Sequence, residues 1–99
     1  MIRGTTPKLE FTLPFDTGIL AEAWITLSQN GEEVITKTLT ECACKGRMLT
    51  VQLTQEDTLS FRAEIATEIQ IRARTVRGEA LVSNIYEECT EKILKDGVI

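Results

Sequence analysis

The stretch AEAWITLSQNGEEVITKTL, residues 21–39, decides how this chain folds. From Ala21 to Ser28, the residues Ala23, Ile25 and Leu27 share one face and Trp24, Thr26 and Ser28 the other, which is the alternation of a strand with one buried side. Asn30-Gly31 follows. A type I′ turn needs positive φ at both central residues, which Asn and Gly tolerate best, so Glu33 to Leu39 is expected to return antiparallel against the first strand. A hairpin with one apolar face does not hold alone in water and calls for a second layer.

Working outward, the same period recurs. Lys8 to Leu13 alternates, with Leu9, Phe11 and Leu13 on one side, and Pro14 ends the run because proline cannot donate to a ladder. An Asp16-Thr17-Gly18 turn leads into the hairpin. Thr40 to Arg47 reads as a turn closing on Lys45-Gly46, and Met48 to Thr54 reads as a strand with Leu49, Val51 and Leu53 inward. Thr54 followed three residues later by Asp57 is a capping box, predicting one helical turn over Gln55 to Ser60 with Leu59 and Phe61 beneath it. Ala66 to Val76 is a long strand with Ile65, Thr67, Ile69, Ile71 and Ala73 in one phase and Glu68, Gln70, Arg72 and Arg74 in the other. Arg77-Gly78-Glu79 turns it into Ala80 to Glu87, where Leu81, Val82, Ile85 and Tyr86 fall on both faces and leave the facing open. Cys89 to Ile99 fits a short strand, a helical turn or an extended tail that serves as a docking segment. The expected fold class is all-β: an immunoglobulin-like antiparallel β-sandwich of six to seven strands formed by residues 1–99 as a single domain, with a small open barrel as the alternative. The antibody hallmark is missing, since Trp24 precedes all three cysteines.

Composition narrows the function classes. Ninety-nine residues at 42% hydrophobic and 26% charged suit one soluble core. A formal charge of -4 is the wrong sign for a phosphate backbone, so no nucleic-acid partner is expected. No run reaches the roughly 18–20 apolar residues of a membrane helix, and Met1 to Glu10 lacks a signal-peptide core, so synthesis in the cytoplasm and no membrane partner are expected. The absence of His removes the commonest general base and zinc ligand. Cys42, Cys44 and Cys89 are odd in number and lack CxxC spacing, so reduced, quiet thiols are expected rather than a disulfide framework or a metal site. The carboxylate pairs Glu32-Glu33, Glu56-Asp57 and Glu87-Glu88 fall in turns or at strand ends. No catalytic residues and no cofactor are expected, and the chain reads as non-enzymatic.

Contact residues are the remaining candidates. With Ala23, Ile25 and Leu27 in the core, Trp24 lies outward beside Thr26 and faces Val34, Thr36 or Thr38 across the hairpin; the alternative is a reversed register that buries Trp24. Arg72 and Arg74 fit a solvated face or the rim of a contact. The interaction set is Trp24, Thr26, Val34 and Thr36, together with the C-terminal Ile93-Leu94 and Val98-Ile99, while Pro14 and Lys37 serve to protect sheet edges. A carbohydrate-binding sandwich that stacks sugar on Trp24 is the alternative use of the same face.

Several segments also carry a resemblance. They are Met1-Ile2-Arg3-Gly4-Thr5-Thr6-Pro7, Phe11-Thr12-Leu13-Pro14-Phe15-Asp16, Ser28 to Gly31, Leu53 to Thr58, Glu68 to Arg72 and Ala80 to Ile85. In these the chain resembles small uncharacterised proteins of phages and prophages of Gram-positive bacteria, encoded among virion genes. To a lesser degree it is similar to N-terminal β-sandwich domains of phage upper baseplate proteins. The resemblance implies a structural or assembly role, tail or baseplate associated, with other virion proteins or further copies of the chain as partners and the virion as a location. It transfers no active-site residues.

Overall fold

A computed structural model describes residues 1–82, 85–89, 94–95 and 97–99. Two antiparallel sheets pack face to face without closing into a barrel, as the sandwich reading requires. The smaller holds β1 (Lys8–Thr12), β4 (Cys42–Lys45) and β5 (Met48–Gln52) in the order β1-β5-β4. The larger holds β2 (Leu20–Gln29), β3 (Glu32–Thr38), β6 (Ala66–Thr75), β7 (Ala80–Val82) and β8 (Tyr86–Cys89), with β3-β2-β6-β7 in line and β8 also paired to β6. Short 3-10 turns cover Thr17–Ile19 and Leu39–Glu41, and the helical turn α1 covers Gln55–Leu59.

The core is the inward phase of each alternating run. Ala23, Ile25 and Leu27 from β2 meet Leu49 and Val51 from β5 together with Leu53, Phe11 and Leu13 from the small-sheet side, and Ile69, Ile71 and Ala73 from β6. Asn30 and Gly31 take φ of 51° and 78°, so the hairpin turn has the positive-φ pair its sequence calls for. Thr54 Oγ1 accepts from the Asp57 N–H at 3.1 Å and Asp57 Oδ2 from the Thr54 N–H at 2.9 Å, closing the capping box, and Phe61 is buried next to it.

Two segments differ from expectation. Thr40 to Arg47 is not all turn: after Leu39–Glu41 the chain forms β4, which pairs with β5 from Cys42↔Val51 to Lys45↔Met48 and leaves only Gly46-Arg47 as the hairpin loop. Cys-Ala-Cys-Lys has little strand propensity of its own, and the ladder to β5 supplies what the sequence lacks. Ala80 to Glu87 is likewise two strands. β7 runs Arg72↔Val82 against β6 and β8 runs Ile69↔Tyr86, a change of one residue in register. This shift explains the ambiguous facing, because it puts odd-numbered Leu81 and even-numbered Tyr86 on the same inward side. Eight strands thus stand among the described residues where six to seven are expected from sequence.

Candidate functional site

The outer face of the larger sheet carries the features that could recognise something. Residues Ala23, Ile25 and Leu27 are 1%, 0% and 0% exposed whereas Trp24 is 37% exposed, so the register is the one that turns the indole outward. Trp24 stands opposite Thr38 on β3 and Arg72 on β6, and Arg72 stands opposite Val82 on β7, giving a row Thr38, Trp24, Arg72, Val82 across four strands. The neighbouring row is Thr36, Thr26, Gln70, with the Thr26 and Thr36 hydroxyls 3.3 Å apart. On the other side Arg74 pairs with Glu22 at 3.7 Å, an exposed ion pair that adds little energy. Trp24, Thr26, Glu33, Thr36 and Arg72 together line a shallow concavity of about 380 Å³.

Of the expected contact residues, Trp24, Thr26 and Thr36 come together and Val34 does not. Strict alternation would place Val34 beside Thr36. The β2/β3 register instead steps from Leu27↔Ile35 to Ser28↔Glu33, leaving Val34 as the extra residue of a bulge, half-buried against the core. Glu33 and Arg72 occupy the ground Val34 was expected to hold. At the C-terminus Leu94 is fully exposed and Val98 and Ile99 are exposed, while Ile93 lies outside the described residues. Gln55 holds that end to α1: its Oε1 accepts from the Ile99 N–H at 2.7 Å and its Nε2 donates to the Ile99 carbonyl at 3.3 Å.

The titratable groups are built into the scaffold. Lys37 sits on edge strand β3 opposite Ile25, so it points inward, where its ammonium reaches Asp57 at 2.9 Å and Glu41 at 3.5 Å. An inward lysine discourages a further strand from pairing there. The hydrogen bond to Asp57 raises the Lys37 pKa against the opposing effect of burial. Burial also opposes ionisation of Asp57, but the Thr54 N–H and the Lys37 ammonium outweigh it and hold its carboxyl below the ordinary range. Cys42 is half-buried, donates to the Thr38 carbonyl at 3.3 Å, and is pushed up to about 11, first by burial and then by Cys44 and Glu41 nearby. Cys44 is exposed on the same edge strand. Among the described residues no group of three or more Cys, Asp or Glu is arranged to hold a metal ion, and no helix is long and apolar enough to cross a membrane.

Sequence reasoning passed over Gln29. It continues the inward phase of Ala23, Ile25 and Leu27 and is 5% exposed. Its Nε2 donates to the carbonyls of Arg62 and Ile65 at 3.0 and 3.3 Å and to Thr67 Oγ1 at 3.3 Å, and its Oε1 accepts from the Arg62 N–H at 2.8 Å. The signal available in the sequence was phase alone: a glutamine in a core register. Comparison of the chain with protein-family models, with curated proteins and with solved structures finds no match.

Proposed function

We propose that this chain is a non-catalytic docking module whose contact surface is the outer face of the larger sheet, serving in a phage or prophage virion assembly of the kind its sequence resembles, with a tail or baseplate protein or a further copy as partner. The observation that carries the reading is Trp24, more than a third exposed within the four-strand row of Thr38, Trp24, Arg72 and Val82. Tryptophan is enriched among the residues that anchor protein contacts. The exposed third of a side chain that buries up to about 250 Å² leaves roughly 90 Å² to cover, which at about 25 cal/mol per Å² is about 2 kcal/mol, or some 30-fold in affinity. The threonine ladder and Arg72 around it supply directional partners without deep desolvation.

The test is solution mass by light scattering across a concentration series, on wild type and Trp24→Ser. Dissociation of a wild-type oligomer in a variant that keeps its β-sheet circular dichroism supports self-assembly through this face. A wild-type monomer moves the test to pull-downs with tail proteins, where Trp24→Ser should lose the captured partner. Retention of the partner or the oligomer by Trp24→Ser refutes the assignment. Glu33 and Arg72 beside the indole favour one second reading, a saccharide stacked on Trp24 and hydrogen-bonded at its rim; sugar-dependent quenching of Trp24 fluorescence supports that use instead.

A further inference from the structure

The two sheets are unequal in width, and the difference falls on one side. The larger sheet has four lanes, since β7 and β8 both lie beside β6 on the flank away from β2, whereas the smaller has three. Adjacent strands lie about 4.8 Å apart, so the smaller sheet is short by about that width. The shortfall is at β1, where an apolar concavity of about 210 Å³ and a second of about 580 Å³, lined by both apolar and charged side chains, run along the seam between β1 and the β6, β7 and β8 side. Their walls include Phe11, Leu13, Ile71, Leu81 and Tyr86, and the Tyr86 ring packs on Phe11 at 5.7 Å between them.

The backbone at this edge is oriented to receive a strand. Leu13 N–H donates to the Arg47 carbonyl and Leu53 N–H to that of Pro7, so the odd residues from 7 to 13 exchange their bonds with β5. Alternation then directs the N–H and C=O of Lys8, Glu10 and Thr12 toward the open side, and among the described residues β1 pairs with β5 alone. Pro7 and Pro14 bound the segment, which limits an added strand to about the length of β1.

Charge selects the occupant. The mouth of the seam carries Glu10 and Glu87 against Lys8, on a chain of net charge -4. A second copy fits poorly, because the antiparallel two-fold register that uses all three free positions puts Glu10 opposite Glu10 of the other copy. We infer that the β1 edge and its seam seat an extended strand of a partner protein, apolar at alternate positions toward the seam and cationic opposite Glu10. This surface is separate from the Trp24 face and goes beyond the docking role proposed for it.

The experiment follows amide exchange by NMR on the full chain, with the capped peptide Val-Thr-Val-Lys-Val-Thr-Val as probe, whose central lysine falls opposite Glu10 when all three free positions are paired. The amides of Lys8, Glu10 and Thr12 are expected to slow by at least about tenfold at saturating peptide, while those of Leu9 and Phe11, already in the β5 ladder, change less. Glu10→Pro should abolish the protection, since the Glu10 N–H is not part of the β5 ladder. Glu10→Lys provides a milder variant and should weaken binding at least about tenfold. Trp24→Ser should leave the peptide effect intact, which separates failure here from failure of the outer-face reading. No added protection at millimolar peptide overturns the inference. So does equal binding of the same peptide with Glu in place of Lys, and so does protection of these amides that rises with protein concentration alone, which would make a second copy the occupant.

Discussion

Gln29→Met tests whether a buried amide, rather than the apolar core alone, fixes the crossing from α1 to β6. The substitution keeps chain length and removes both polar functions from a site that is 5% exposed. Nε2 has two protons for three acceptors, the carbonyls of Arg62 and Ile65 and the hydroxyl of Thr67, so it contributes two bonds, and the bond from the Arg62 N–H makes a third. At about 1 kcal/mol net per bond the loss is about 3 kcal/mol, with the desolvated Arg62 N–H adding to it and the greater apolarity of methionine offsetting part. For a domain of this size that is a fall in Tm of roughly 12–24 °C. Urea unfolding followed by far-UV circular dichroism measures it, with faster amide exchange at Arg62 as the local signature. Gln29→Glu should be destabilised as well and should recover stability as pH falls, because a buried carboxylate facing two carbonyls favours its protonated form. A Gln29→Met protein within about 1 kcal/mol of wild type would refute the reasoning and leave the 61–65 segment held by Phe61 packing alone.

Four further outcomes are expected. The Asp57 carboxyl is held below the ordinary range in the folded chain, so its stabilisation is present above the unfolded pKa of about 4 and is lost as pH falls through the folded value; Asp57→Asn should flatten that acid limb in pH-dependent unfolding. The raised pKa of Lys37 acts in the opposite sense: its stabilisation is full below about 10.4 and disappears as pH rises through the folded value, a limb that Lys37→Met should remove. Glu64 takes φ of 65°, a left-handed conformation that glycine adopts without strain, so Glu64→Gly should leave stability unchanged or raise it by up to about 1 kcal/mol, in contrast to the usual cost of glycine, as read from denaturant midpoints. Alkylation mapped by mass spectrometry should label exposed Cys44 well before half-buried Cys42, whose thiol at about 11 is scarcely ionised near neutral pH.

The parts of the fold that are legible in the sequence are those whose cause is local. Two-residue alternation marks β2, β5 and β6, Asn30-Gly31 marks the hairpin, and Thr54 with Asp57 marks α1, each within a window shorter than the element itself. The parts that escape it depend on something distant. β4 is a strand because β5 lies beside it, and β7 and β8 separate because one residue of register is absorbed between them. The outer face was half legible: phase alone puts Trp24 and Thr26 outward, but the bulge that withdraws Val34 and brings Glu33 to the patch leaves no mark in composition. Lys37 and Gln29 were legible in phase yet run against the expectation that inward positions are apolar. Their polar partners, Asp57 and the 62–67 segment, are remote in sequence, so nothing nearby announces that either group is satisfied.

The placement of Trp24 and Tyr86 gives the molecule two optical reporters that do not overlap in what they sense. The chain has one tryptophan and one tyrosine, the first on the outside of the larger sheet and the second against Phe11 in the seam between the sheets. Excitation at the red edge isolates the indole, whose emission shifts to the blue when its outer face is covered. The near-ultraviolet dichroism that remains in a Trp24→Phe variant carries the phenol and follows the asymmetry of the seam, so a titration read by indole emission in the wild type and by dichroism in the variant assigns an unlabelled binder to one side of the sheet or the other.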